Sequence, residues 1–104
     1  MGMKLNQTTL DKLEDVLEES GYVVRYERGT FQSGYCILEQ KKVVVLNKFL
    51  MQESRINTLL ELIPQVNINF DALTAGSQKL YEEVMALAEA KANATNEEGA
   101  INDQ

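Results

Sequence analysis

The chain of 104 residues contains no histidine and no tryptophan, a single cysteine, Cys36, and a single proline, Pro64. Without imidazole it has neither the commonest general base nor the commonest metal ligand, nor a side chain that ordinarily titrates near neutral pH. Serine–histidine and cysteine–histidine catalysis and ordinary zinc sites are thereby excluded. One thiol cannot close an intramolecular disulfide, so the apolar core must hold the fold without a covalent staple. The longest apolar run, Val84 to Ala88, falls far short of the roughly 18 residues a membrane span needs. The N-terminus, Met1-Gly2-Met3-Lys4-Leu5-Asn6, has no long apolar segment of the secretory kind. The expectation is a soluble cytoplasmic protein with no membrane partner and no cofactor.

What is present suits one domain with one core, since 44 % of the residues are apolar. The net charge of −6 is unevenly spread. Residues 1–21 hold five acids and two bases, and residues 57–104 eight acids and two bases. Between Tyr22 and Ile56 the balance reverses, with six bases against three acids. Overall acidity opposes binding that depends on neutralising phosphates, so nucleic acid is not the expected partner, although the basic middle keeps a weak association in view.

Punctuation and periodicity order the elements. Leu10, Leu13, Val16 and Leu17 form one helical stripe opposite an acidic face, with Thr8 as the expected N-cap, Asp11 completing a capping box, and Gly21 as the left-handed stop. Residues 22–28 alternate as a strand. A turn bracketed by Gly29 and Gly34 leads to strands over 35–39 and 43–47, which form a hairpin. The pattern predicts an α+β domain: an N-terminal helix, an antiparallel meander of three or four strands, and two C-terminal helices. The second helix spans about 52–63 and ends at Pro64. The third centres on Leu80, Val84 and Leu87, with Thr74 and Ser77 both suitable as its cap. Residues 8–91 make the domain, 1–7 a flexible lead, and 92–104 a disordered polar tail.

The third strand is apolar on both faces, as if covered on both sides. In a meander it would lie at the sheet edge, where unpaired backbone invites association. Either the alternating segment Val66–Phe70 adds a fourth strand or a second copy packs there. Val43, Val44, Val45 and Leu46, with Tyr35 and Ile37 beside them, are therefore the candidate interface. A candidate basic and aromatic patch comprises Tyr22, Arg25, Tyr26, Arg28, Lys41 and Lys42, which suits base stacking or a half-buried sheet face equally. Glu53, Glu61 and Asp71 are candidates for carboxylate-based hydrolysis, at spacings that match no motif. Cys36 reads as a small core residue.

The strand end Val45-Leu46-Asn47, a short loop, and the helix opening Asn57-Thr58-Leu59-Leu60 resemble the central block of the ImmA/IrrE-type metallopeptidases. In that family the helix carries a His-Glu-x-x-His zinc motif. Carried across, the two histidines fall at Glu61 and Gln65 and the catalytic glutamate at Leu62, so the resemblance implies a framework without its metal. Size and composition are also similar to those of many small bacterial proteins, a likeness that implies no activity. The expected function is a non-catalytic protein-binding or oligomerising module, a homodimer or the partner of another protein. The alternatives are a degenerate hydrolase scaffold and a weak nucleic-acid-associated module.

Overall fold

The structure, a computed structural model, describes residues 3–28 and 34–102, with side chains described as far as residue 92. The elements are α1 (Gln7–Glu19), β1 (Val23–Glu27), β2 (Tyr35–Leu38), β3 (Val43–Asn47), α2 (Gln52–Leu62) and α3 (Ala75–Asn102), with 3-10 turns at Glu39–Lys41, Ile63–Gln65 and Phe70–Ala72. The fold class is α+β, as the periodicities predict.

Helix α1 starts earlier than its sequence punctuation suggests. The Asn6 side chain accepts a 2.9 Å bond from the Thr9 amide and caps the helix, so Thr8 lies inside the first turn. Asparagine is as good a cap as threonine or better, and a preceding Met3 packed on the core holds the entry. At the other end the Gly21 amide donates to the Glu18 carbonyl and the Tyr22 amide to that of Leu17. Gly21 has φ +93°, the left-handed geometry that this paired closure requires.

The sheet departs from the meander. Its order is β1-β3-β2, with β3 antiparallel to β2 and parallel to β1. The expected β2–β3 hairpin is present, closed by the 3-10 turn and by Lys42 in left-handed geometry at φ 54°. The chain between β1 and β2 does not make a hairpin; β3 inserts between those strands instead. The turn residues 29–33 lie outside the described residues. Burial accounts for the order: β3, apolar on both faces, takes the centre, while the more polar β1 and the four-residue β2 take the edges. Val43–Leu46 is therefore no sheet edge, and its backbone has partners on both sides.

Val66–Phe70 is not a fourth strand. It runs extended across the end of α1, where its amides find side-chain acceptors: Asn67 donates to the Tyr22 hydroxyl and Asn69 to Ser20 Oγ, both at 3.0 Å. Phe70 then opens a 3-10 turn. Period-two alternation is satisfied by any extended segment docked on one side, whether or not a neighbouring strand is paired to it.

The helices share one core with a single face of the sheet, α3 packing mainly against α1 rather than on the strands. Leu10, Leu13 and Leu17 of α1, Val44 and Leu46 of β3, Ile56, Leu59 and Leu62 of α2 and Val84 of α3 form one buried cluster. Burying each such side chain contributes about 1.5–3 kcal/mol before entropy is subtracted. Thr74 caps α3, its Oγ1 accepting from the Ser77 amide at 3.4 Å, while Glu19 at the end of α1 accepts from the Thr74 amide and the Ser77 hydroxyl. The α3 helix continues to Asn102, over the stretch from 92 that composition reads as a tail.

Candidate interaction surfaces

Strand pairing sorts the candidate interface residues onto two faces. Tyr35 lies opposite Leu46 and Ile37 opposite Val44, and all four point towards the helices. Val43 and Val45 point the other way, aligned with Val23 and Arg25 of β1 and with Leu38 and Cys36 of β2. No described helix packs on that second face. Val23 is 53 % exposed and Leu38 42 %, whereas Val45, at the centre of the six, keeps 7 %. The open patch is thus Val23, Val43 and Leu38 in one row and Arg25, Val45 and Cys36 in the next. Val23, Leu38 and Cys36 are not among the residues that sequence reasoning assigned to an interface. Their signal was a period-two alternation on each strand, but which parity faces the helices depends on the sheet order.

The basic and aromatic patch does not assemble. Tyr22 is 2 % exposed; its hydroxyl donates to a Glu39 carboxylate oxygen and accepts from the Asn67 amide. Lys42 Nζ lies 5.4 Å from the centroid of that ring. Tyr26 faces the helices and donates to Glu14 of α1, while the Arg55 guanidinium of α2 covers its ring at 4.3 Å. Arg25 points to the open face and pairs with Glu27 at 3.2 Å. Lys41 is exposed in the hairpin turn. Rings and cations that alternate along β1 are thereby divided between opposite faces, so no stacking platform forms.

Burial pushes the Tyr22 and Tyr26 hydroxyls above the usual phenol range, and donation to Glu39 and Glu14 pushes them further the same way. The Glu14 carboxyl is raised as well, chiefly by burial. The Tyr26 hydroxyl and the Arg55 charge oppose that rise, and the nearby Asp11 and Glu18 add to it. These groups tie α1, β1 and α2 together, and each hydroxyl is engaged in holding the fold.

The carboxylates proposed for hydrolysis stay apart. Glu53 and Glu61 lie eight residues apart on α2, about 12 Å along the axis at the helical rise. Asp71 belongs to the separate turn at Phe70–Ala72. Among the described residues no group of three or more acidic or cysteine side chains is placed to hold a metal ion. The strand–loop–helix order of the metallopeptidase resemblance is present from β3 to α2. Leu62 is fully buried, and Glu61 and Gln65 are exposed and joined by a 3.0 Å bond from Gln65 Nε2 to the Glu61 carbonyl. A cavity of about 740 Å³ opens between α2 and α3, walled by Leu60, Pro64, Leu87 and Ala88 with Asn57, Glu61 and Lys91 at its margins. Leu87, expected in the buried stripe, is partly exposed along this groove.

Comparison of the chain with protein-family models, curated proteins and solved structures finds no match. Among the described residues, no helix is long and apolar enough to cross a membrane.

Proposed function

We propose that this chain is a non-catalytic interaction module whose open sheet face seats a second copy of the same chain. The observation that carries the reading is the row Val23–Val43–Leu38, apolar across all three strands and covered by no described helix. The same face carries Arg25 and Glu27, one charge of each sign on one strand. A two-fold axis would bring the same patch of each copy together, the arrangement an isologous contact requires.

Size decides the strength. Three strands about 4.8 Å apart and five residues long at about 3.3 Å each present a face of only about 250 Å², before side-chain relief is added. Stable complexes bury about 800 Å² on each partner, so a dimer built on this face alone is weak and depends on concentration.

Sedimentation equilibrium from micromolar to near-millimolar protein tests the reading. Val23→Lys with Leu38→Lys, both at exposed positions, abolishes the association and leaves the melting transition in place. Cys36 reports on the same face: its alkylation slows as the native protein is concentrated and does not slow in the double variant. A strict monomer across the whole range removes the reading.

A further inference from the structure

A second surface, separate from the open sheet face, lies at the end of the sheet where β1 and β3 finish side by side. The loop from β3 to α2 is tied by hydrogen bonds to β1 and to α2. The Lys48 amide donates to the Glu27 carbonyl at 2.9 Å, and the Asn47 side chain accepts from the Phe49 amide at 3.0 Å. Arg55 donates from Nε to the Leu50 carbonyl and from Nη2 to the Lys48 carbonyl, each at 2.9 Å. Leu50 turns inward against the core. Phe49 and Met51 turn outward, 62 % and 76 % exposed, the two most exposed large apolar side chains among the described residues.

Two cations flank the displayed ring. Arg28 lies 5.8 Å and the Lys48 ammonium 5.6 Å from its centroid. Among the described residues neither has an acidic partner. Of the acids near by, Glu27 is held by Arg25. Glu53 lies in the first turn of α2, the end of a helix where a negative charge is stabilised. A pinned loop therefore presents apolar surface between uncommitted positive charges, with the ordering entropy already spent in folding.

We propose that the Phe49–Met51 tip, with Arg28 and Lys48, binds an acidic peptide segment that also carries an apolar side chain. The two cations complement carboxylates, and Phe49 and Met51 supply the apolar contact. Polyanions are the wrong match. Binding to a nucleic acid or an anionic membrane grows with the number of phosphates or headgroups neutralised, and this tip offers two uncommitted cations on a protein of net charge −6. A peptide contributes its apolar contact at short range, where overall charge matters less.

The test is an amide-shift titration of the isotope-labelled full chain with a short synthetic glutamate-rich peptide bearing leucines. The same peptide with lysine for glutamate, oligothymidylate, and phosphatidylserine vesicles are the other arms. The expected result is a set of shifts confined to Arg28 and Lys48–Gln52, and no binding of the lysine peptide. Phe49→Ala, and Arg28→Glu together with Lys48→Glu, each weaken binding at least tenfold at an unchanged melting temperature. The Val23→Lys, Leu38→Lys variant gives the native titration, which separates this site from the sheet face. The proposal is overturned by absence of shifts with the glutamate peptide, by equal binding of the lysine peptide, or by tighter binding of oligothymidylate or vesicles through the same residues.

Discussion

Arg55 is the side chain on which most of the exposed loop depends, and replacing it with methionine isolates that dependence. The change keeps an unbranched apolar stem against the Tyr26 ring but removes the guanidinium. Two charged-donor hydrogen bonds at 2.9 Å are lost, to the carbonyls of Lys48 and Leu50. The cation 4.3 Å from the Tyr26 ring is lost with them. At about 0.5–1.5 kcal/mol for each bond and about 0.5–1 for the ring contact, and with one bond exposed to solvent, the net cost is about 2 kcal/mol. For a domain of this size that lowers the melting temperature by about 8–16 °C. Arg55→Lys keeps a charge near the ring but cannot reach both carbonyls from one ammonium, so it recovers less than half of the loss. Chemical denaturation gives the free energies, and amide exchange locates them. The Phe49 and Leu50 amides lose protection by more than those of Val44 and Leu46, which fall only with global stability. If Arg55→Met costs less than about 0.5 kcal/mol, the ordinary range for a surface substitution, the guanidinium does not hold the loop.

The remaining expectations concern the tyrosine–carboxylate contacts and the helix ends. Tyr22→Phe leaves the half-buried Asn67 amide without its acceptor and costs about 1 kcal/mol, read by denaturation. Glu14 has a raised folded pKa, so its contribution is most favourable below the ordinary carboxylate range and declines as pH rises through the folded value. Glu14→Gln keeps an acceptor for Tyr26 and removes that decline; its stability relative to the native chain is therefore higher at pH 7 than at pH 3, and an equal difference at both would refute the burial argument. Tyr22 and Tyr26 resist ionisation: ultraviolet titration shows both charging above the usual phenol range near 10, and stability falls as they are forced to charge. Gly21→Ala meets no neighbour within 4 Å, so its cost of about 1–2 kcal/mol comes from left-handed backbone alone, and a neutral result would show that α1 can end otherwise.

Much of the fold was legible because short-range rules govern it. The 3.6-residue stripe of α1 and its stop at Gly21 depend on neighbours in the chain, as does the tight β2–β3 turn, and all appear where the pattern put them. The α1 start was misplaced by two residues because Asn6 and Thr8 are both good caps, and it is Asn6 that accepts from the Thr9 amide. The apolar character of both faces of β3 was visible, and so was its need for cover. What supplies that cover was not, since pairing β3 between β1 and β2 joins residues some twenty positions apart. The same long-range step decided which residues make the candidate surfaces. Of the six residues named together as a candidate interface, Val43 and Val45 point to the open face, while Val44, Leu46, Tyr35 and Ile37 went to the core. Phe49 and Met51 gave no periodic signal at all, because a loop side chain shows its exposure only when its neighbours are placed.

By itself, then, the order of amino acids determined the chemistry open to this protein: no imidazole, a lone thiol, an acidic balance, and helices and strands whose local preferences agree. Tertiary structure decided where that chemistry is displayed. Strand order assigns each alternating residue to the inside or the outside, because shifting a strand's partner or register by one step exchanges its two faces. The guanidinium of Arg55, reaching back from a helix to two loop carbonyls, fixes the Phe49 ring and the Lys48 charge at the surface in a way that no local pattern encodes.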